Sequence, residues 1–328
     1  MTTSPVSTTR VAVLAGGLSH ERDVSLRSGR RVVEALRSAG LDASLHDVDA
    51  DLVPALRDLR PELVWPVLHG SSGEDGSVRD VVRLLGLPLL GTGPRESRIA
   101  WNKPVAKTLV ARAGIVTPEF VTLPQSLFRE LGPTRVLEAV AARLGLPLVV
   151  KPACGGSALG VSVVRTADEL PRAMVECFAY GDTALIERAV SGAEITVAVV
   201  DLGSGPTTLP PVEIVADGPY DFDARYHPGR VEYFTPARLA AAVRAEVERV
   251  ALDVHSVLGL RQLSRVDLIV DDDDVHFLEV NVAPGMTETS LLPQAAAAAG
   301  HDLGSLYRSL VEAALASAPT GPGAVGAL

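Results

Sequence analysis

Cysteine is nearly missing: Cys154 and Cys177 are the only two in 328 residues, too few for a disulfide framework or a thiolate zinc site. Aromatic residues make up 4%, so the core has to be built mainly from Ala, Val and Leu. No cluster of Lys and Arg interleaved with aromatics offers a nucleic-acid surface, and an acidic balance of 30 Lys and Arg against 40 Asp and Glu, a formal net charge of -10, lowers the odds further. No apolar run reaches the roughly 18 residues that span a bilayer. The opening MTTSPVSTTR lacks the apolar h-region of a secretory signal. Disorder is no refuge either, because 47% of residues are hydrophobic and only 21% charged. These absences leave a cytosolic, enzyme-like protein of about two domains, or one large lobed domain, acting on small molecules with no nucleic-acid or membrane partner.

What is present is an alternation of strands and helices. Val11 to Leu14 forms a short buried strand ending at Gly16-Gly17, and the loop Leu18 to Asp23 feeds a helix over Ser25 to Ala39. A second strand, Leu63 to Leu68, leads through His69-Gly-Ser-Ser-Gly-Glu-Asp-Gly76 to a helix over Ser77 to Leu85. The alternation predicts a parallel α/β sheet with its site at the carboxyl ends of the strands. Beyond Gly91, helices are expected over Arg95 to Ala113 and Leu127 to Leu144, then a strand over Leu146 to Lys151, a Gly-rich turn, and a strand over Val161 to Val164. Strand signals dominate from Glu187 onward, at Ile195 to Val200, Val266 to Val270 and Val275 to Val282. Between them a long polar and aromatic loop, Asp217 to Phe234, reads as a lid.

The most informative chemistry lies in Arg265-Val-Asp267 and Glu279-Val-Asn281. A hairpin with the three-residue loop Asp272 to Asp274 sets Asp267 opposite Glu279 and Arg265 opposite Asn281, all on one face. Two carboxylates and an amide oxygen suit Mg²⁺ held together with phosphates; the competing account is a strand face with a salt bridge. The run Asp271 to Asp274 is better explained as turn chemistry than as a second metal site. Lys151 ends an apolar strand before Gly155, Gly156 and Gly160, so backbone N–H groups (Gly156 among them) and a point charge could close on phosphate oxygens. Lys103 is a second candidate, against the alternative of a solvated helical lysine. The His69 loop divides evenly between an anion site at a helix N-terminus and simple turn geometry. Val11 to Gly17 lacks the G-x-G-x-x-G spacing, which rejects a dinucleotide oxidoreductase. Cys154 sits in the Gly-rich turn, and Cys177 reads as core.

Five segments, AGGLSHERDVSLRSG (15–29), LHGSSGEDGSV (68–78), VVKPACGGSALGVS (149–162), YDFDARY (220–226), and RVDLIV (265–270) with LEVNVAPGMTETSLLP (278–293), resemble the D-alanine–D-alanine ligase family of ATP-grasp enzymes. The resemblance spans about Val11 to Gly300 with every motif in family order. It implies an ATP-grasp fold of three α/β lobes: an N-terminal substrate-binding domain over 11–91, a central lobe over 92–187 and a catalytic lobe over 188–316, between disordered ends at 1–10 and 317–328. ATP would lie between the central and C-terminal lobes, phosphorylating the carboxylate of a first D-alanine before the amine of a second attacks.

By that resemblance Asp267, Glu279 and Asn281 bind two Mg²⁺ ions, with Mn²⁺ as a substitute, and Lys103 and Lys151 bind phosphate. Glu187 and Glu194 fall where the family contacts adenine and ribose. Arg265 and the Gly285 N–H would meet the oxyanion. Glu21, linked to Ser157 and Tyr226, would receive the first substrate's ammonium, and His69 would line that pocket. Arg225, Ser290 and the Leu291 backbone would hold the second carboxylate. Tyr226 also favours an amine over a hydroxyl nucleophile. Arg225 stands for the family's lysine, Gly155 for an acidic residue, Ala158 for a serine, Val282-Ala283 for a segment usually bearing Thr or Ser, and Arg79-Asp80 for Gln-Gly. No metal ligand, phosphate lysine or oxyanion arginine is lost. The runner-up is a ligase of the same chemistry joining other amino acids, or D-alanine to a hydroxy acid. The family's habit makes a homodimer the expected assembly.

Overall fold

In the computed structural model, residues 8–216, 231–272 and 274–318 are described. Strand β1 (Arg10–Ala15) is the middle of a parallel sheet, flanked by β2 (Asp42–Asp47) and β3 (Leu63–Pro66). Side chains alternate across it: Val11 and Val13 enter one apolar cluster, Ala12 and Leu14 another. Both faces are therefore covered, as a parallel sheet with crossover helices requires. The helix Arg22–Ser38 buries Ser25, Ser28, Gly29, Val32, Val33 and Leu36, one stripe at helical spacing. A Cβ on Gly29 would lie 2.7 Å from both Ala15 and Leu45, so glycine lets this helix cross the sheet closely.

The second sheet is antiparallel, ordered β4 (Phe120–Pro124), β7 (Thr183–Arg188), β5 (Leu148–Pro152), β6 (Ser162–Val164). Leu148, Val150, Ala184 and Ile186 pack under the helices Pro133–Leu144 and Leu170–Phe178. By alternation Lys151 and Glu187 face the other way.

The third sheet runs β11 (Val231–Phe234), β10 (Val212–Ala216), β8 (Ala193–Asp201), β12 (Leu263–Asp271), β13 (Asp274–Asn281), with β9 (Pro206–Thr208) on the end of β8. Val266, Leu268 and Val270 enter the core beneath the helix Ala241–Val257, which turns Arg265 and Asp267 to the opposite face.

Several expectations need correction. Helix 95–113 is two helices, Pro94–Trp101 and Lys103–Arg112, broken at extended Asn102, whose side chain caps the second by accepting from the Val105 N–H at 3.1 Å. Ala100, Ala106 and Val110 pack into the core of the third sheet, so these helices serve the third lobe although they precede the second sheet. Helix 127–144 is likewise broken, at Gly132-Pro133. The helices Leu291–Ala298 and Leu303–Ala316, unforeseen, return to the first sheet's core through Leu292, Leu306 and Leu310. Part of the expected lid is strand β11; residues 217–230 lie outside the described segments, as does 319–328 of the expected tail.

The β12–β13 hairpin also differs. Asp271 pairs with Asp274, one residue tighter than expected, and a bulge between Asp267 and Leu268 restores Asp267 opposite Glu279 and Arg265 opposite Asn281. The bulge puts two successive residues, Leu278 and Glu279, on the cleft side between core residues Phe277 and Val280. Among the described residues no helix is long and apolar enough to cross a membrane.

Candidate active site

Two adjoining clefts open between the sheets. Every expected site residue inside the described segments lines one or both; Arg225 and Tyr226 lie outside those segments. The first holds Glu21, His69, Ser157, Arg265, Asn281, Gly285, Ser290 and Leu291. The second holds Lys151, Glu187, Glu194 and Asp267. Lys103, Gly155, Gly156 and Glu279 line both, forming the wall through which the clefts communicate.

Lys103 is not the solvated lysine that a helical position suggests. It starts a helix, is buried, donates to the Gly155 carbonyl at 2.5 Å and lies 3.4 Å from Glu279 Oε2. Its backbone N–H donates to Ala153 at 2.9 Å, which ties the helix to the Gly-rich turn. In that turn Ser157 and Ala158 both have left-handed backbones, at φ 52° and 56°, a conformation costing non-glycine residues about 1–3 kcal/mol. Ser157 Oγ donates to Glu21 Oε1, joining the turn to the first lobe. Cys154 is half-buried, with burial the chief cause raising its thiol pKa, and Cys177 is core, pushed up to about 12.

Glu21 is presented by the loop before the helix Arg22–Ser38. Its N–H donates to Ser19 Oγ at 3.3 Å, and Ser19 donates to the His69 carbonyl at 2.8 Å. His69 Nδ1 lies 3.0 Å from the Ala283 carbonyl and so carries the proton, leaving Nε2 to accept from Ser28 at 3.2 Å. Burial, the largest influence, lowers its pKa and keeps the ring neutral. The change at Ala283 is thus harmless to His69, which uses only the backbone there. Glu74, in the same motif and missed by sequence reasoning, lines the first cleft and accepts from the Gly70 N–H at 2.9 Å. Burial foremost, then Glu21, pushes its carboxyl up to about 8. Arg79 is also buried, donating to Gly73 and Thr92 carbonyls at 3.3 and 3.0 Å, and burial draws its pKa down to about 10.

Asp267 accepts from Arg265 through both oxygens at 2.8 Å and from Thr196 at 2.8 Å. Asn281 Oδ1 accepts from the Ala283 N–H at 2.7 Å. No group of three or more His, Cys, Asp or Glu converges among the described residues; the candidate metal set is two carboxylates and an amide, a hard oxygen set suited to Mg²⁺ with phosphates. Deeper in the second cleft, Glu187 lies 2.5 Å from Lys151 and 2.9 Å from Lys107. Burial works to raise the Glu187 pKa, but the two lysines outweigh it and the carboxylate stays ionised. Each of its oxygens meets one lysine, Oε1 Lys151 and Oε2 Lys107, and Oε2 is itself buried.

At the far side of the first cleft, Ser290 precedes the helix Leu291–Ala298, whose N-terminal N–H groups favour an anion. Ser290 Oγ takes the Thr287 N–H at 2.9 Å, folding the segment from Gly285 into a tight turn.

A family model described as "D-ala D-ala ligase C-terminus" matches residues 109–312. A D-alanine--D-alanine ligase of Desulforudis audaxviator is 41% identical over 307 residues, 93% of this chain and 98% of that protein. A crystal structure of the D-alanine--D-alanine ligase of Bacillus anthracis complexed with ATP superposes with a TM-score of 0.78 at 28% identity, covering 94% of this chain and 98% of that one. The VanG D-Ala:D-Ser ligase of Enterococcus faecalis gives 0.81 at 25% identity, covering 94% and 100%.

Proposed function

This chain belongs to the D-alanine–D-alanine ligase family, and we propose on that premise that it joins two D-alanine molecules into D-alanyl-D-alanine, the peptidoglycan precursor, with conversion of ATP to ADP and phosphate. The observation that carries the reading is the shared wall. A nucleotide in the second cleft and amino acids in the first would meet at Lys103, Gly156 and Glu279, where a γ-phosphoryl group can reach a carboxylate.

Glu21 binds the ammonium of the first D-alanine and so turns its carboxylate toward that wall. A carboxylate oxygen attacks the γ-phosphorus as the bond to ADP breaks, giving an acyl phosphate. The second D-alanine is held through its carboxylate by Ser290 and the Leu291 N–H. Its amine, as the free base, attacks the acyl carbon; the carbon–oxygen bond to phosphate breaks, and the proton lost by the nitrogen leaves with the phosphate. Arg265 and the Gly285 N–H receive the negative charge that grows on the acyl oxygen, fixed donors that need no reorganisation. Lys103, Lys151 and the Gly156 N–H cradle the phosphates, Glu187 borders the adenine, and Glu194 holds the ribose. Asp267, Glu279 and Asn281 would hold two Mg²⁺ ions, which when bound neutralise phosphate charge and align the transfer. Tyr226 and Arg225 keep their assigned roles on motif alone. The buried, neutral His69 shapes the first substrate's pocket without adding charge. We place the protein in the cytosol as a homodimer, which light scattering on the purified protein checks.

The test is phosphate release from Mg·ATP against D- and L-amino acids, D-serine and D-lactate, with products identified by mass spectrometry. D-alanyl-D-alanine is the expected dominant product. A dominant product from any other pair, or no turnover with D-alanine, would overturn the assignment.

A further inference from the structure

Lys107 is a cation the ligase chemistry does not use, yet it is held with care. Its side chain is 0% exposed, and it lines neither cleft. The ammonium lies 2.9 Å from Glu187 Oε2, 2.5 Å from Thr117 Oγ1 and 5.5 Å from the centre of the Phe120 ring. Thr117 passes its own hydrogen to the Phe277 carbonyl at 2.8 Å, and the Phe277 N–H returns to Val116 at 2.8 Å. Lys107 is thereby fixed where the second and third sheets meet, directly behind the nucleotide cleft.

The consequence is electrostatic. Lys151, which faces the cleft, lies 2.5 Å from Glu187 Oε1, so each carboxylate oxygen of Glu187 meets one lysine. Burial draws the Lys107 pKa down to about 8 against the pull of Glu187, so below that pH Lys107, Glu187 and Lys151 together carry one net positive charge. Without Lys107, Lys151 and Glu187 would form a neutral pair, and the charge Lys151 offers an approaching phosphate would be cancelled from 2.5 Å away. We propose that Lys107 is a positioning residue for nucleotide binding: it neutralises Glu187 from behind the sheet, so that Lys151 presents a net positive charge to the ATP phosphates while Glu187 stays ionised. This rests on the reading of the second cleft as the ATP site. A purely structural buried ion pair would stabilise the fold equally for any ligand; the charge account separates phosphate from base.

The experiment is calorimetric titration of the whole protein with Mg·ATP and, separately, with adenosine. Lys107→Met should raise the Kd for Mg·ATP about tenfold or more while moving that for adenosine less than about threefold. The double variant Lys107→Met/Glu187→Gln removes the cancelling anion together with its cation and keeps the shape of the Glu187 side chain. It should recover at least half of the lost Mg·ATP affinity on a logarithmic scale. Equal losses for both ligands, an unchanged Mg·ATP affinity, or no recovery in the double variant would each overturn the proposal. Should Lys107→Met not fold, Lys107→Gln, which can still reach Thr117, takes its place with the same expectations. Mg·ATP binding by the unaltered protein that ignores position 107 sinks this inference alone. Absence of Mg·ATP binding by the unaltered protein sinks the ATP reading and this inference with it.

Discussion

Ser157 Oγ donates its hydrogen to Glu21 Oε1 across 136 positions of sequence, fastening the Gly-rich turn of the second lobe to the loop that opens the first helix. Both side chains are buried. The bond aims a carboxylate into the first cleft and at the same time closes that cleft's wall. Ser157→Ala should therefore leave a buried carboxylate short of a donor, a loss of about 1.5–3 kcal/mol for a hydrogen bond to a charged group. The expected readout is a kcat/KM for the first amino acid lower by roughly tenfold to a hundredfold, with the KM for ATP changed far less. Equal effects on both substrates would mean the turn itself had collapsed.

Glu279 belongs to both clefts and is aimed there by a bulge, 3.4 Å from Lys103. Glu279→Gln keeps the shape and removes the charge. Turnover should drop by more than about a hundredfold if a metal and phosphate charge are balanced here, and raising Mg²⁺ should restore part of it. Thermal unfolding of the metal-free protein should be nearly unmoved. Wild-type turnover at ordinary Mg²⁺ would remove Glu279 from the metal set.

The β12–β13 hairpin explains what could be read from the residues alone. Alternation put Arg265, Asp267, Glu279 and Asn281 on one face, and they are there. The route was wrong, because a tighter turn and a compensating bulge cancel; the turn has no distinct signature in a run of four aspartates, and the bulge has none in the apolar residues around Leu268 and Leu278. The motifs likewise brought Glu21 to Ser157, whose lobes are far apart in sequence. Illegible were the features that depend on tertiary burial. Asn102-Lys103-Pro104 carries cap and N-terminal proline signals that break helix 95–113, yet only packing makes Lys103 a buried cation. Glu74 stood inside a recognised motif, but its protonation follows from burial, which no spacing encodes. The helices Leu291–Ala298 and Leu303–Ala316 are rich in Ala and Leu and too weakly patterned to separate from the strand-rich region before them.

Gly285 leaves little room for a side chain. A Cβ there would fall 2.6 Å from Ser290 Oγ, the atom that also takes the Thr287 N–H. Gly285→Ala should push the Ser290 turn out of place, displacing at once the expected oxyanion donor and the proposed carboxylate site of the second substrate. A fall in kcat/KM for the second amino acid of roughly a hundredfold is expected, since one misplaced donor costs about 10²–10³ in rate. ATP binding measured without amino acid should be unchanged. An active variant with ordinary KM values would show that the loop yields freely and that Gly285 is not positioned by this contact.

Glu74 makes the protein's stability depend on pH in an unusual direction. Burial and the neighbouring Glu21 push its carboxyl up to about 8, opposed by the Gly70 N–H, Arg265 and Lys103. In the unfolded chain the same group titrates near 4.5. Between those values the folded state keeps a proton that the unfolded state has released, so the folded state binds more protons and stability must fall as pH rises. The loss begins near pH 4.5 and is complete near 8, and at about 1.4 kcal/mol per pKa unit it amounts to a few kcal/mol. Glu74→Gln retains an acceptor for Gly70 and cannot ionise. Its melting temperature should match that of the unaltered protein at pH 5 and exceed it at pH 8, the gap widening steadily between. A gap that is constant with pH would show that Glu74 is ionised in the folded protein, and a gap that narrows would reverse the sign of its coupling. The expected pattern would also establish that this cleft carries one fewer negative charge at neutral pH than its residues suggest.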